Sequence, residues 1–414
     1  METSMSCGLL VSRFRRSIFW RLMPAGMRKR WWLFRPLDLI ARYWPVLKQP
    51  RGVLVVRMDG IGDMVLFRRS LDHYSEIFNV ASSEIIIIGC ESWGALAEEV
   101  FRDFRVISIN EHAFARRPFY RLRISIMVRS LAPNVTVCDS YMRRALMADS
   151  LAWVSAAPRT IVSLPYISER TRPEFNYYLS QVDEIIDTGP YPTHEVNRHF
   201  CFISTLAGRK IEPEVPYISW RKDYKVPNDW KECGDRYAVL NIGSNEPGRR
   251  WPLSSYAKIA RNLTKGGFQV VVVGCLDDQY NHQSIASFFH GLDVVNLVGK
   301  TSLSELLDLF ANAKLVVSSD TGPAHLSIAL ERPTVVIIGG GHFGSFVPYP
   351  SEVTPKDVRF VYKKMDCYHC FWRCHKRESN LQSFPCIENI EKEQVWLACK
   401  ELLGLAKDNQ PGTL

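Results

Sequence analysis

The strongest constraint on the fold is an alternation that runs twice along the chain. Short, almost wholly apolar runs rich in Val and Ile are each followed by a turn and an amphipathic stretch. In the first half the runs are Val53–Val56, Ile85–Gly89, Val106–Ile109 and Val135–Cys138. Each is too short for a helix and lacks a polar face, so both of its faces must be covered. Between them, Met64–Phe78 places Val65, Phe67, Leu71, Tyr74 and Phe78 near helical spacing, and Leu96–Phe104 and Arg116–Arg129 read as further helices. The second half repeats the pattern. Its strands are Tyr237–Ile242, Gln269–Val273, Val294–Leu297, Leu315–Ser318 and Thr334–Ile338, with helices over Leu253–Leu263, His282–Phe289, Leu303–Asn312 and Ala324–Leu330. Glu391–Leu405 is a last helix. Such alternation predicts an α/β protein with two doubly wound sheets and ligands at the carboxyl ends of the strands. Residues 165–235 differ: seven prolines from Pro165 to Pro227 break regular structure, leaving a helix around Phe175–Ile186 and a linker near 205–235. The expected domains are a basic arm over 1–50, an α/β domain over 51–215, a second over 216–350 and a cysteine-rich tail over 351–414.

The formal charge of +9 is confined to one end. Residues 1–51 hold eleven Lys and Arg against Glu2 and Asp38, which accounts for the whole excess. A neutral body argues against nucleic acid as a partner, because a basic footprint belongs on the folded surface. No apolar run is long enough to span a bilayer, and Arg interrupts the apolar pieces of the N-terminus, so neither a transmembrane helix nor a secretory leader is expected. The chain is therefore expected in the cytoplasm, with its eleven cysteines as thiols or metal ligands rather than disulfides. Ser12–Trp32 interleaves Arg with Phe14, Phe19, Trp20, Trp31 and Trp32. One reading is a peripheral anchor on the anionic inner face of the cytoplasmic membrane; the other is a basic arm packed on the protein's own surface.

Four loops at strand ends carry the chemistry. Arg57-Met58-Asp59-Gly60-Ile61-Gly62-Asp63 opens a helix, and Gly60 and Gly62 allow close backbone approach to a ligand or merely a tight turn. It has neither the Lys-Ser/Thr of a P-loop nor the dinucleotide glycine spacing. Gly243–Pro252 brings Ser244, Asn245, Arg249 and Arg250 before a helix. The two arginines suit a bidentate clamp on a diphosphate, or one of them is a solvated helix-start charge. Asp277 and Asp278 follow a strand, where an acid holds ribose hydroxyls or caps a helix. Ser318–His325 runs from a strand into a helix start of small residues, a good seat for a diphosphate.

The Ile61-Gly62-Asp63 turn, the Arg249-Arg250-Trp251-Pro252 loop and the Ser319-Asp320-Thr321-Gly322-Pro323-Ala324-His325-Leu326 segment resemble glycosyltransferase family 9, the bacterial ADP-heptose heptosyltransferases, over roughly residues 51–350. The resemblance implies a GT-B architecture, two Rossmann-like domains facing across a cleft. It also implies inverting transfer from a nucleotide sugar, ADP-heptose, without an obligatory metal at the reaction centre. Asp63 then matches the general base, with a plain helix-capping role as its alternative. Arg249 falls where the family commonly has Lys, which keeps the charge and alters its geometry. Asp320, Thr321, Gly322 and His325 match the nucleotide-sugar side, and Asp277 or Asp278 falls near the nucleoside; Gly62, Ser244, Asn245 and Arg250, from the glycine turn and the arginine loop, are further candidates for holding the donor. The implied acceptor is a hydroxyl of a lipopolysaccharide core or another cell-surface glycan. A protein O-heptosyltransferase and a non-catalytic nucleotide-sugar-binding assembly factor are the alternatives.

Cys367, Cys370, Cys374 and Cys386 cluster within twenty residues, with His369 and His375 among them. Four closely spaced cysteines read as a tetrahedral thiolate site for structural zinc or iron, bracing the cleft or shaping acceptor access. Redox-active or buried unligated thiols are the alternatives.

Overall fold

A computed structural model describes residues 8–10, 29–221, 236–276 and 282–405. The chain divides into two compact units, Met1–Glu214 and Val215–Leu414. The first is built on seven strands: β1 Gly8–Leu10, β2 Val53–Arg57, β3 Ile85–Cys90, β4 Arg105–Ile109, β5 Val135–Cys138, β6 Arg159–Ser163 and β7 Glu184–Asp187. They lie in the order β1-β7-β6-β5-β2-β3-β4. All neighbours are parallel except β1, which runs antiparallel to β7. The second unit has six parallel strands: β8 Tyr237–Asn241, β9 Gln269–Val273, β10 Val294–Asn296, β11 Leu315–Ser319, β12 Thr334–Ile338 and β13 Val358–Tyr362. Their order is β10-β9-β8-β11-β12-β13.

Both sheets are wound the same way. The chain steps outward from β2 through β3 to β4, then returns to pair β5 with β2 and steps the other way. β8 to β13 repeat this, with β11 returning beside β8. Each sheet therefore has one point where the strand order reverses, and the loops leaving the two central strands diverge there to open a crevice. The central strands are buried on every residue, as continuous Val, Leu and Ile runs require.

Several expected elements shift. Met64–Phe78 is two helices, Ile61–Leu71 and Tyr74–Phe78. The helix expected around Phe175–Ile186 occupies Arg172–Leu179, and Ile185 and Ile186 belong to β7. With only two apolar residues between acids, β7 has no period of its own to set it apart from the helix before it. Strands β6 and β13 and the helix Glu195–Ala207 are further elements of regular structure that the pattern did not separate.

The basic arm is not simply appended. Its Lys29–Arg42 portion is a helix, and Phe34, Asp38 and Ala41 are buried in the first unit. Arg121 donates from Nε to Asp38 Oδ1 at 2.9 Å and from Nη2 to Asp38 Oδ2 at 2.6 Å, with both side chains buried. The guanidinium also lies between the rings of Phe34 and Phe114, 4.6 and 4.4 Å from their centroids. This bidentate, doubly stacked pair offsets part of the desolvation, and burial still raises the Asp38 carboxyl above its ordinary value. Residues 11–28, which carry Trp20 and five of the arm's arginines, lie outside the described residues.

Candidate active site

The reversal point of the first sheet lies between β2 and β5, and the residues leaving these strands converge there. Arg57 ends β2 and is completely enclosed. Its Nη1 meets Asp139 Oδ1 at 2.6 Å, just past β5, and its Nη2 meets Asp59 Oδ2 at 2.7 Å. Nη2 also donates to the backbone carbonyl of Asp63 at 3.2 Å. Ser140 Oγ donates to Asp59 Oδ2 at 2.7 Å, and His199 Nδ1–H donates to Asp139 Oδ2 at 2.8 Å. Burial works against the charges here, and the ion pairs decide which survive. His199 and Arg57 together hold Asp139 well below the usual carboxylate range despite its burial. Asp59 is raised, chiefly by burial, with Arg57 opposing.

Asp63 sits in the first turn of the helix Ile61–Leu71, at the rim of this network. Its Oδ2 accepts the Gly60 N–H at 3.2 Å, so it does close the helix start. Its proton affinity, however, is not that of an ordinary capping carboxylate. Burial and then the nearby charge of Asp59 push its pKa up to about 7, with Arg57 pulling the other way. A carboxylate that is half protonated near neutrality, beside a glycine turn, is equipped to accept a proton from a hydroxyl.

The second sheet reverses between β8 and β11. Asn241 Nδ2, ending β8, donates to Ser318 Oγ at 2.8 Å and Thr321 Oγ1 at 3.4 Å, tying the two strand ends together. Thr321 caps the helix Gly322–Ala329, so the backbone N–H groups of Thr321 and Gly322 head that helix. Arg249 Nη2 donates to the backbone carbonyl of Asp320 and lies 3.3 Å from its Oδ2. Asp320 is raised by burial, opposed by Arg249 and His342. His325 Nδ1 meets the Tyr349 hydroxyl at 2.8 Å, and burial, helped by Arg249, lowers its pKa to about 3, so its ring is neutral. Arg250 is turned inward: it is buried, and its Nε and Nη2 donate to the Ser244 carbonyl at 3.1 and 2.7 Å. That fixes the loop and leaves Arg249 as the more exposed of the two arginines. Asn245 is exposed and Ser244 buried. Asp277 and Asp278 lie outside the described residues.

The four clustered cysteines come together. Cys367, Cys370, Cys374 and Cys386 line one small cavity, with Met365, Tyr368, Trp372 and Phe384 also in its wall. All four are free thiols, and Cys386 Sγ accepts the Gly340 N–H at 3.4 Å. Burial pushes the Cys386 thiol up to about 11. Among the described residues, no group of three or more His, Cys, Asp or Glu meets the arrangement needed to hold a metal ion. The thiol donor set suits zinc or iron, but its present arrangement is that of an apolar, aromatic-walled cluster. Elsewhere, Cys201 departs from the all-thiol expectation and is disulfide-bonded.

A family model described as glycosyltransferase family 9 (heptosyltransferase) matches residues 168–376, about half of the chain. The chain belongs to glycosyltransferase family 9. Its family match begins after the Ile61-Gly62-Asp63 turn, so it is narrower than the resemblance over residues 51–350. Lipooligosaccharide heptosyltransferase 2 of Haemophilus influenzae is 36% identical over 96 residues, covering 22% of this chain and 28% of the relative. The match therefore spans less than a third of that relative's length. Among solved structures, a glycosyltransferase family 9 protein of Veillonella parvula superposes with a TM-score of 0.66 at 16% identity, covering 87% of this chain and 100% of the other. The ADP-heptose lipopolysaccharide heptosyltransferase II of E. coli superposes with a TM-score of 0.57 at 17% identity, covering 85% and 98%. Identities this low speak to the fold, and they show this family 9 chain to have the α/β architecture of those enzymes.

Sequence reasoning singled out Asp63, Arg249, Asp320, Thr321, Gly322 and His325, and the structure places each at a reversal point or on the loops leaving it. It passed over Asp139, Ser140 and His199. Asp139 had a local signal, an acid directly after the apolar run ending at Cys138. His199 had none, because it reaches Asp139 from the helix Glu195–Ala207, sixty positions away.

Proposed function

We propose that this family 9 protein is an inverting glycosyltransferase that moves a heptosyl group from ADP-heptose to a hydroxyl of a lipopolysaccharide core. The observation that carries this reading is Asp63 on the glycine turn of the first unit, with a proton affinity poised near neutrality. The names of the Haemophilus and E. coli relatives support the choice of sugar and acceptor. Inversion requires the acceptor oxygen to attack the anomeric carbon opposite the departing ADP. Asp63 takes the hydroxyl proton as the new C–O bond forms. The bond to the β-phosphate oxygen breaks, and the charge gained by ADP is stabilised by Arg249 and the N–H groups of Thr321 and Gly322. The network around Arg57 holds the Asp63 turn by its backbone.

Only ionised Asp63 is a base. Its pKa is raised to about 7, so kcat/KM for transfer rises with pH through about 7 and then levels off. Because the charge of Asp59 raises this pKa, Asp59→Asn moves the rise to lower pH. A profile flat from about pH 6 to 8 in the unmodified protein rejects Asp63 as the base.

We also propose peripheral attachment to an anionic membrane. Among the described residues no helix is long and apolar enough to cross one. Leu47 is 100% exposed, Phe119 89% and Tyr43 77%, with Arg116, Arg117 and Arg123 also exposed. Aromatic and aliphatic groups beside arginines suit the headgroup region of an anionic bilayer. Deleting residues 1–50 is a poor test, since it also removes buried Phe34 and Asp38. Tyr43→Ser/Leu47→Ser/Phe119→Ser together lower flotation with phosphatidylglycerol vesicles severalfold; unchanged flotation rejects this surface.

For the cysteines, convergence on one cavity supports zinc or iron held by Cys367, Cys370, Cys374 and Cys386 in a structural role. Metal analysis of the purified protein decides: below about 0.2 equivalents, when a four-thiolate site binds tightly, the cluster is not a metal site.

A further inference from the structure

The cysteine-bearing segment does more than close a cavity. The Arg249 guanidinium lies over the Trp372 ring, 4.4 Å from its centroid. Trp372 in turn stacks on Phe384 at 5.7 Å and an interplanar angle of 19°. This ring is built into the loops that leave the strands. A Cβ on Gly341 would come within 2.1 Å of the Trp372 ring, and one on Gly340 within 2.2 Å of Tyr368. The Gly339-Gly340-Gly341 run after β12 is thus required by aromatic packing. His369 N–H donates to the Gly340 carbonyl at 2.7 Å and Phe371 N–H to that of Gly341 at 2.9 Å. Phe384 N–H donates to the Gly248 carbonyl at 2.6 Å, next to Arg249. Arg377 Nη1 donates to Glu246 Oε1 at 2.8 Å, and Ser383 Oγ to the Arg250 carbonyl at 2.6 Å. The cysteine segment and the arginine loop are one packed body.

The backbone carries a second sign. His369, Phe371 and Trp372 have φ of 68°, 53° and 59°, the left-handed region that bulky residues avoid. Three such residues among four persist only where the surroundings hold them, and such strain collects where a side chain must be aimed.

We propose that Trp372 is the positioning residue for Arg249: the cysteine segment presents its ring as the platform on which the guanidinium is aimed at the diphosphate of the donor. The proposal rests on the reading of Arg249 as a diphosphate ligand. A flexible arginine with one partner, Asp320, swings; a planar guanidinium stacked on an aromatic face is fixed in tilt as well. The same geometry explains why Arg rather than Lys suits this chain at position 249.

The test is ADP affinity, measured by calorimetry on the full chain in five forms: unmodified, Trp372→Ala, Trp372→Phe, Arg249→Ala and the Trp372→Ala/Arg249→Ala double variant. Trp372→Ala is expected to weaken ADP about tenfold, and Trp372→Phe, which keeps the platform, to recover most of that loss. In the Arg249→Ala background the Trp372 change should cost nothing more, because it acts through Arg249. Unchanged ADP affinity in Trp372→Ala, or an equal additional loss in the double variant, overturns the proposal. If Arg249→Ala itself binds ADP normally, the diphosphate assignment has failed and the proposal falls with it, a result distinct from the other two. Circular dichroism and the Phe variant separate this role from a loss of folding.

Discussion

Asp63→Asn yields a folded protein that still binds ADP-heptose and transfers almost none of it. The substitution is chosen so that only the proton acceptor is lost. Asp63 Oδ2 accepts the Gly60 N–H at the start of its helix, and an Asn carbonyl makes the same bond, so the helix start is kept. The backbone carbonyl that receives Arg57 is unchanged as well. What disappears is a carboxylate whose pKa is raised to about 7. Loss of a positioned general base lowers the rate by roughly 10²–10⁴-fold. Single-turnover transfer, with donor affinity measured alongside, reads this out. Turnover within about tenfold of the unmodified protein would return Asp63 to a capping role and leave the chain a nucleotide-sugar binder.

Arg249→Ala has the second largest effect, and it appears in both binding and rate. Removing one donor to a developing oxyanion costs about 10²–10³-fold. Arg249 also neutralises Asp320, whose carboxylate is buried and already raised by that burial. Without the guanidinium, Asp320 takes up a proton more readily, and the charge pattern at the β8–β11 reversal changes with it. Arg249→Lys restores the charge but neither the fork nor the flat face over Trp372, so it recovers only part of the activity. Steady-state kcat/KM for the three forms checks this; equal values for Ala and the unmodified protein would remove Arg249 from the donor site.

The two glycine-bearing turns were legible as turns because they are local. Gly60-Ile61-Gly62-Asp63 and Ser319-Asp320-Thr321-Gly322 each follow an apolar run and precede a helix, and both properties are written in consecutive residues. The strand positions were legible for the same reason: β5, β9 and β12 fall where Val135–Cys138, Gln269–Val273 and Thr334–Ile338 were expected. Short strands with polar ends, such as Glu184–Asp187, were not, since two apolar residues do not establish a period. The Trp251 of the Trp-Pro loop was legible as a signature and not as a part. Its indole is fully buried and donates to the Ile390 carbonyl at 3.1 Å, so it serves the core under the loop.

The sequence by itself determined the α/β class, the two rounds of strand and helix, and where the glycine-bearing turns fall between them. These follow from periodicity and from residue types within a few positions of one another. Only the tertiary structure decided which residues set the chemistry of those turns. The pKa of Asp63 depends on Asp59 and Arg57, and Arg57 on Asp139 and, through it, on His199. The platform under Arg249 comes from Trp372, beyond five intervening strands. Desolvation and charge coupling act through space across a few ångströms, where separation along the chain carries no weight.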